Sequence, residues 1–106
     1  LGVLANGSYA LCGIGTRVRE LTFGIAGEVP LAEVWHHHPV LREIRRSLPN
    51  ALTGVCGRCL MKHLCLGSCI ANNYYRAGSL WAPFWFCQQA EEQGLFPASR
   101  KSEDGQ

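Results

Sequence analysis

Six cysteines are the residues of this chain best equipped to do chemistry, and five of them fall between Cys56 and Cys87. Their order is Cys56-x2-Cys59-x5-Cys65-x3-Cys69, then seventeen residues, then Cys87; Cys12 stands apart near the start. Thiols this crowded cannot all be ordinary core side chains. They need a shared partner: a zinc ion held by four thiolates, an iron–sulfur cluster held the same way, or one another as disulfides. A Cys-x2-Cys pair aims two sulfurs at one metal, and its short loop turns backbone N–H groups toward the thiolates. Cys65 offers a third donor, and Cys69 and Cys87 compete for the fourth place. Soft sulfur ligands alone separate zinc from iron poorly. Zinc ribbons usually carry two Cys-x2-Cys pairs, however, and this chain has one. The surroundings are also apolar: Leu60, Met61, Leu64, Leu66, Ile70 and the aromatic block Trp81 to Phe86. Such a wall would keep water from a cluster, or would simply be the core.

Other polar residues are weaker candidates. His36, His37 and His38 on one helix spread over about 200° of arc, so they cannot converge on one ion and suit a surface or capping role. His63 lies between Cys59 and Cys65, placed either to face a cluster sulfur or to face solvent. Arg58 and Lys62 would offset thiolate charge or stand exposed. Asn72, Tyr74 and Tyr75 could line a substrate groove, though helix packing explains the two tyrosines better. Gly67 suits either a close backbone approach or a turn with positive φ.

Length and composition narrow the class. At 106 residues the chain is one domain at most, able to bury about 60–68% of its unfolded surface. A net charge of +2 with scattered basic residues gives no reason to expect nucleic acid. No stretch reads as a secretory signal or a membrane span. Thiols without a secretory signal point to a reducing, cytoplasmic setting. The chain starts at Leu1 and reads as strand from Val3, as expected of a piece cut from a longer protein.

The elements that must position the thiols are short. Val3 to Cys12 reads as a hairpin about an Asn6-Gly7 type I′ turn, with Cys12 on the face opposite Tyr9. Arg19 to Phe23 reads as a second strand. A helix should start near Pro30 with a Leu31, Val34, Trp35 stripe. Pro39 interrupts it, and a second helix should turn Val40, Leu41, Ile44 and Leu48 inward. Leu52 to Cys69 looks too rich in Gly and Cys for regular structure. Ile70 to Ala77 reads as a helix stopped by Gly78, and Gln88 to Gln93 as a last helical segment ended by Gly94. The expected class is α+β: one small cysteine-rich domain over 1–97, hairpin first and short helices after, and a disordered polar tail over 98–106.

Gly7-x4-Cys12, the run from Cys56 to Cys69, and Cys87 together resemble the SPASM domain of radical S-adenosylmethionine enzymes. Phe23-Gly24, Leu31 to Trp35, the Pro39 helix and Gly67-x-Cys69 fit as well, so the resemblance covers about residues 3–97. The family's signature has one further cysteine, nine to fifteen residues before the glycine, and this sequence lacks it. The resemblance implies two auxiliary [4Fe–4S] clusters. Cys56, Cys59, Cys65 and Cys87 would bind one completely; Cys12 and Cys69 would be a partial ligand set for the other. It also implies an upstream barrel domain that uses S-adenosylmethionine, a peptide or protein substrate, and a relay or substrate-positioning role for the clusters. The chain has no Cys-x3-Cys-x2-Cys, so alone it should be inactive. The alternative is a stand-alone zinc-binding interaction module with four cysteine ligands.

Overall fold

Asn6 and Gly7 make a turn, but of a different kind from the one their pairing predicts. Gly7 N–H donates to Leu4 O at 2.8 Å, so Ala5 and Asn6 are the central residues. Gly7 follows in the left-handed region at φ +88°, the three-residue hairpin loop that ends in a left-handed glycine. Asn6 serves through its side chain, accepting from Ser8 N–H at 3.0 Å. The hairpin joins β1 (Gly2–Val3) to β2 (Ser8–Ala10), with Gly2 opposite Ala10 and Val3 opposite Tyr9. The expected second strand is displaced: Arg19–Leu21 is a turn of 3-10 helix, and β3 is Thr22–Ile25. Thr22 Oγ1 donates to Arg19 O at 2.6 Å and closes that turn locally. The three strands form one antiparallel sheet in the order β1-β2-β3.

The computed structural model describes residues 1–102. They divide into two compact units, Leu1–Arg46 and the chain from Ser47 onward. In the first, Tyr9 and Phe23 from the sheet pack with Val34 of α1 (Leu31–His37) and Leu41 of α2 (Pro39–Ser47). The buried Tyr9 hydroxyl is satisfied by Val29 O at 2.9 Å. Trp35 is not a core residue as its stripe suggests; it is 46% exposed, with the Arg45 guanidinium 5.1 Å above its ring. Of the histidines, His36 and His37 are exposed. His38 Nδ1 accepts from Val40 N–H at 3.2 Å, a cap where α2 restarts. Burial pulls its pKa below the ordinary value.

Among its described residues the second unit carries four α-helices: α3 (Gly54–Arg58), α4 (Lys62–Cys65), α5 (Ile70–Ala77) and α6 (Trp85–Glu92). The first two overturn the expectation of an irregular Leu52–Cys69 stretch. Helices of five and four residues do not form on propensity; α3 is held by its packing against α6. Gln88 of α6 also caps it, Oε1 accepting from Val55 N–H at 2.9 Å. α5 and its left-handed Gly78 lie where the sequence places them. α6 starts at Trp85, three residues earlier than expected. Leu52, Val55 and Cys56 form the core, with Leu48, Phe84, Cys87 and Phe96 packed on it. Val55 is fully buried, which contributes on the order of 1.5–3 kcal/mol.

The class is α+β, hairpin first and short helices after. The expected tail over 98–106 is corrected for its first five residues. Ala98–Arg100 forms a 3-10 turn and Lys101 pairs with Cys59 in an antiparallel bridge. Leu60 N–H donates to Arg100 O at 2.7 Å and Ser102 N–H to Arg58 O at 2.8 Å. Polar composition hid this because the segment is held through its backbone. Residues 103–106 lie outside the described residues. Among the described residues no helix is long and apolar enough to cross a membrane.

Candidate metal centre

Each cysteine of the second unit sits at a helix or a helix end. Cys56 is inside α3 and Cys59 directly follows it. Cys65 is the last residue of α4, and Cys69 is the cap residue before α5. Cys87 is the third residue of α6. Because α3 and α6 pack together, Cys56 and Cys87 meet in the same core cluster.

A cavity of about 170 Å³ opens at this junction, and Cys56, Cys59, Cys65 and Cys87 all line it. Cys69 is not among its walls and is exposed. Cys12 lies in the first unit, also exposed. Val55, Met61, Phe84 and Phe96 supply the apolar lining. Much of the rest of the expected greasy wall faces outward, Leu60 58% exposed, Leu64 79% and Phe86 60%, while Ile70 and Trp81 are half-buried but not on the lining. Phe96 and Arg100, which sequence reasoning passed over, complete the lining. Only their positions after a helix, not their types, set them there.

Two backbone N–H groups donate to the sulfurs. Met61 N–H reaches Cys59 Sγ at 3.4 Å from within the short loop. Phe84 N–H reaches Cys56 Sγ at 3.2 Å, from twenty-eight residues away in sequence. Such donors favour a thiolate over a thiol. Without a cation the balance runs the other way. Burial pushes the Cys56 thiol up, the Phe84 N–H pulls it partly back, and Cys87, Cys65 and Cys59 push it up again. Burial likewise raises Cys87, with Cys65 and Cys59 adding to it and Arg100 opposing. Cys59 and Cys65 thus lie close enough to oppose ionisation at Cys56 and Cys87, and a positive guest would reverse that preference.

The cavity's charged lining residues are both basic, Lys62 and Arg100. Lys62 Nζ donates to Gly57 O at 3.3 Å. Arg58 turns away from the sulfurs and makes a two-pronged ion pair with Glu91, at 2.5 and 2.6 Å. His63 is exposed and does not line the cavity. All six cysteines are free thiols. Among the described residues no three His, Cys, Asp or Glu side chains stand close enough to hold a single metal ion.

The loop between α4 and α5 is strained beside this cavity. Leu66, Gly67 and Ser68 take φ values of +56°, +77° and +70° in succession. For Leu66 and Ser68 that costs about 1–2 kcal/mol each. A buried side chain holds the loop: Asn73 Nδ2 donates to Gly67 O at 2.8 Å. The sequence singles out its neighbour Asn72, but Asn73 is the buried one, at 2% exposure. Tyr74 is half-buried and Tyr75 exposed on the same helix. A β-carbon on Gly67 would stand 3.1 Å from Leu52 Cδ2, so the backbone passes close to the core.

Comparison with known proteins identified no relative: the chain matches no family model, no curated protein and no solved structure.

Proposed function

We propose that this chain binds an auxiliary [4Fe–4S] cluster through Cys56, Cys59, Cys65 and Cys87. On this reading it serves as the cluster domain of a radical S-adenosylmethionine enzyme that modifies a peptide or protein. The observation that carries the cluster assignment is the shared cavity: four thiols from two separate stretches of sequence line one space. The donor set is all sulfur, which suits iron–sulfur and zinc alike. Zinc asks for four sulfurs about 2.3 Å from one point, whereas these four thiols are set around a cavity of about 170 Å³. Thiols set around a cavity suit a guest of several atoms better than one ion.

When bound, such a cluster supplies one-electron transfer. The chain's own residues do the rest. Val55, Phe84 and Phe96 keep water from the inner side. The N–H groups of Phe84 and Met61 hold negative charge at Cys56 and Cys59. Helices α3 and α6 fix Cys56 and Cys87 relative to one another. Cys12 and Cys69 are proposed as part of a second ligand set, on the resemblance alone. The proposed partners are a barrel domain that binds S-adenosylmethionine, and a peptide substrate, in a reducing cytoplasm.

Anaerobic reconstitution of the 106-residue chain with iron and sulfide, followed by metal and sulfide analysis, tests this. The cluster reading expects ~4 iron and ~4 sulfide for the complete site, with absorption that bleaches on reduction. A colourless chain holding about one zinc and no sulfide would replace it with the zinc module.

A further inference from the structure

The C-terminal segment does more than end the chain, because it carries a cation to the thiol cavity. Its backbone is fixed from both sides of Lys101. Leu60 N–H holds Arg100 O at 2.7 Å, and Ser102 N–H holds Arg58 O at 2.8 Å. Between them Lys101 pairs with Cys59 across the antiparallel bridge. Lys101 Nζ goes to Glu91 at 3.6 Å, while Arg100, the last residue of the 3-10 turn, lines the cavity with the four thiols.

The two cationic groups on the lining are differently engaged. Lys62 is bound to a backbone carbonyl, Gly57 O. No hydrogen bond or ion pair ties the Arg100 guanidinium among the described residues, and no carboxylate lines the cavity. Among the described residues Arg100 therefore faces a lining that offers sulfur and no carboxylate.

We propose that Arg100 is a positioning residue for the electrostatics of the cavity, setting the reduction potential of the cluster held there. This rests on the cluster reading above. Reduction adds one electron and no proton to the thiolate-held group, so the assembly gains one negative charge. A cation beside it favours the reduced form and raises the potential. Arg100 is also exposed to solvent, which screens part of the effect.

The test compares wild type, Arg100→Gln, Arg100→Lys and Lys101→Gln, all reconstituted anaerobically and titrated with dithionite. Iron per chain and midpoint potential are read for each. Arg100→Gln should keep the iron of wild type with a more negative potential. Arg100→Lys should recover most of the shift, and Lys101→Gln, whose cation serves Glu91, should show little. Salt should shrink the difference between wild type and Arg100→Gln. An unchanged potential in Arg100→Gln at full iron content overturns the proposal. So does an equal shift in Lys101→Gln, which would make the effect one of net charge. Loss of iron in Arg100→Gln that Arg100→Lys does not restore overturns it too, in favour of a purely structural role. A wild-type chain that takes up no cluster removes the cluster reading itself, a result distinct from all of these.

Discussion

Glu91 carries no sulfur, yet it ties together three segments around the cysteines. It receives both prongs of Arg58 at the end of α3 and lies 3.6 Å from Lys101 on the C-terminal segment, while itself belonging to α6. The Arg58 hydrogen bonds hold its carboxyl below the ordinary value of 4.5, with the charges of Arg58 and Lys101 adding to that. A carboxyl depressed in the folded state stabilises the fold above its ordinary range and loses that contribution as pH falls through the folded value. Wild type should therefore melt above Glu91→Gln at neutral pH, and the gap should close as pH drops below 4.5. A gap that stays constant through this acid range would mean the pair contributes through packing instead.

At the scale of elements, the five-residue helix α3 decides where Cys56 and Cys59 point. Its weakest tolerance is Gly57, where a β-carbon would stand 2.4 Å from the backbone oxygen of Leu52. Backbone cannot step aside as a flexible side chain can. Gly57→Ala should cost about 1–3 kcal/mol, the range for overpacking a closed site, read by urea unfolding of the metal-free chain. Gly2→Ala, with nothing within 4 Å of the added carbon, is the control. Equal stability of the two variants would show that α3 shifts freely. This helix also marks how far the sequence can be read. Ile70–Ala77 and its Gly78 stop are legible because periodicity and a left-handed cap are local signals. α3 is not, because what holds it is Gln88 and the face of α6, far away in sequence. The same applies to Arg100, whose placement depends on a bridge to Cys59 that a polar tail does not advertise. The thiol spacing singles out Cys56, Cys59, Cys65 and Cys87, and the fold sets these four on one cavity. The Phe84 N–H on Cys56 became visible only in the fold.

At the scale of the whole molecule, the chain is two units with separate cores, one built on Tyr9, Phe23, Val34 and Leu41 and the other on Leu52, Val55 and Cys56. The cysteines divide unequally between them, Cys12 in the first and the other five in the second. If the complete cluster belongs to the second unit, it should depend on sulfurs of that unit alone. Iron per chain after anaerobic reconstitution, compared between Cys87→Ser and Cys12→Ser, tests this most directly. Cys87 lines the thiol cavity and Cys12 does not. Cys87→Ser should lose most of the iron while Cys12→Ser stays near wild type; equal loss in both would contradict the four-sulfur assignment.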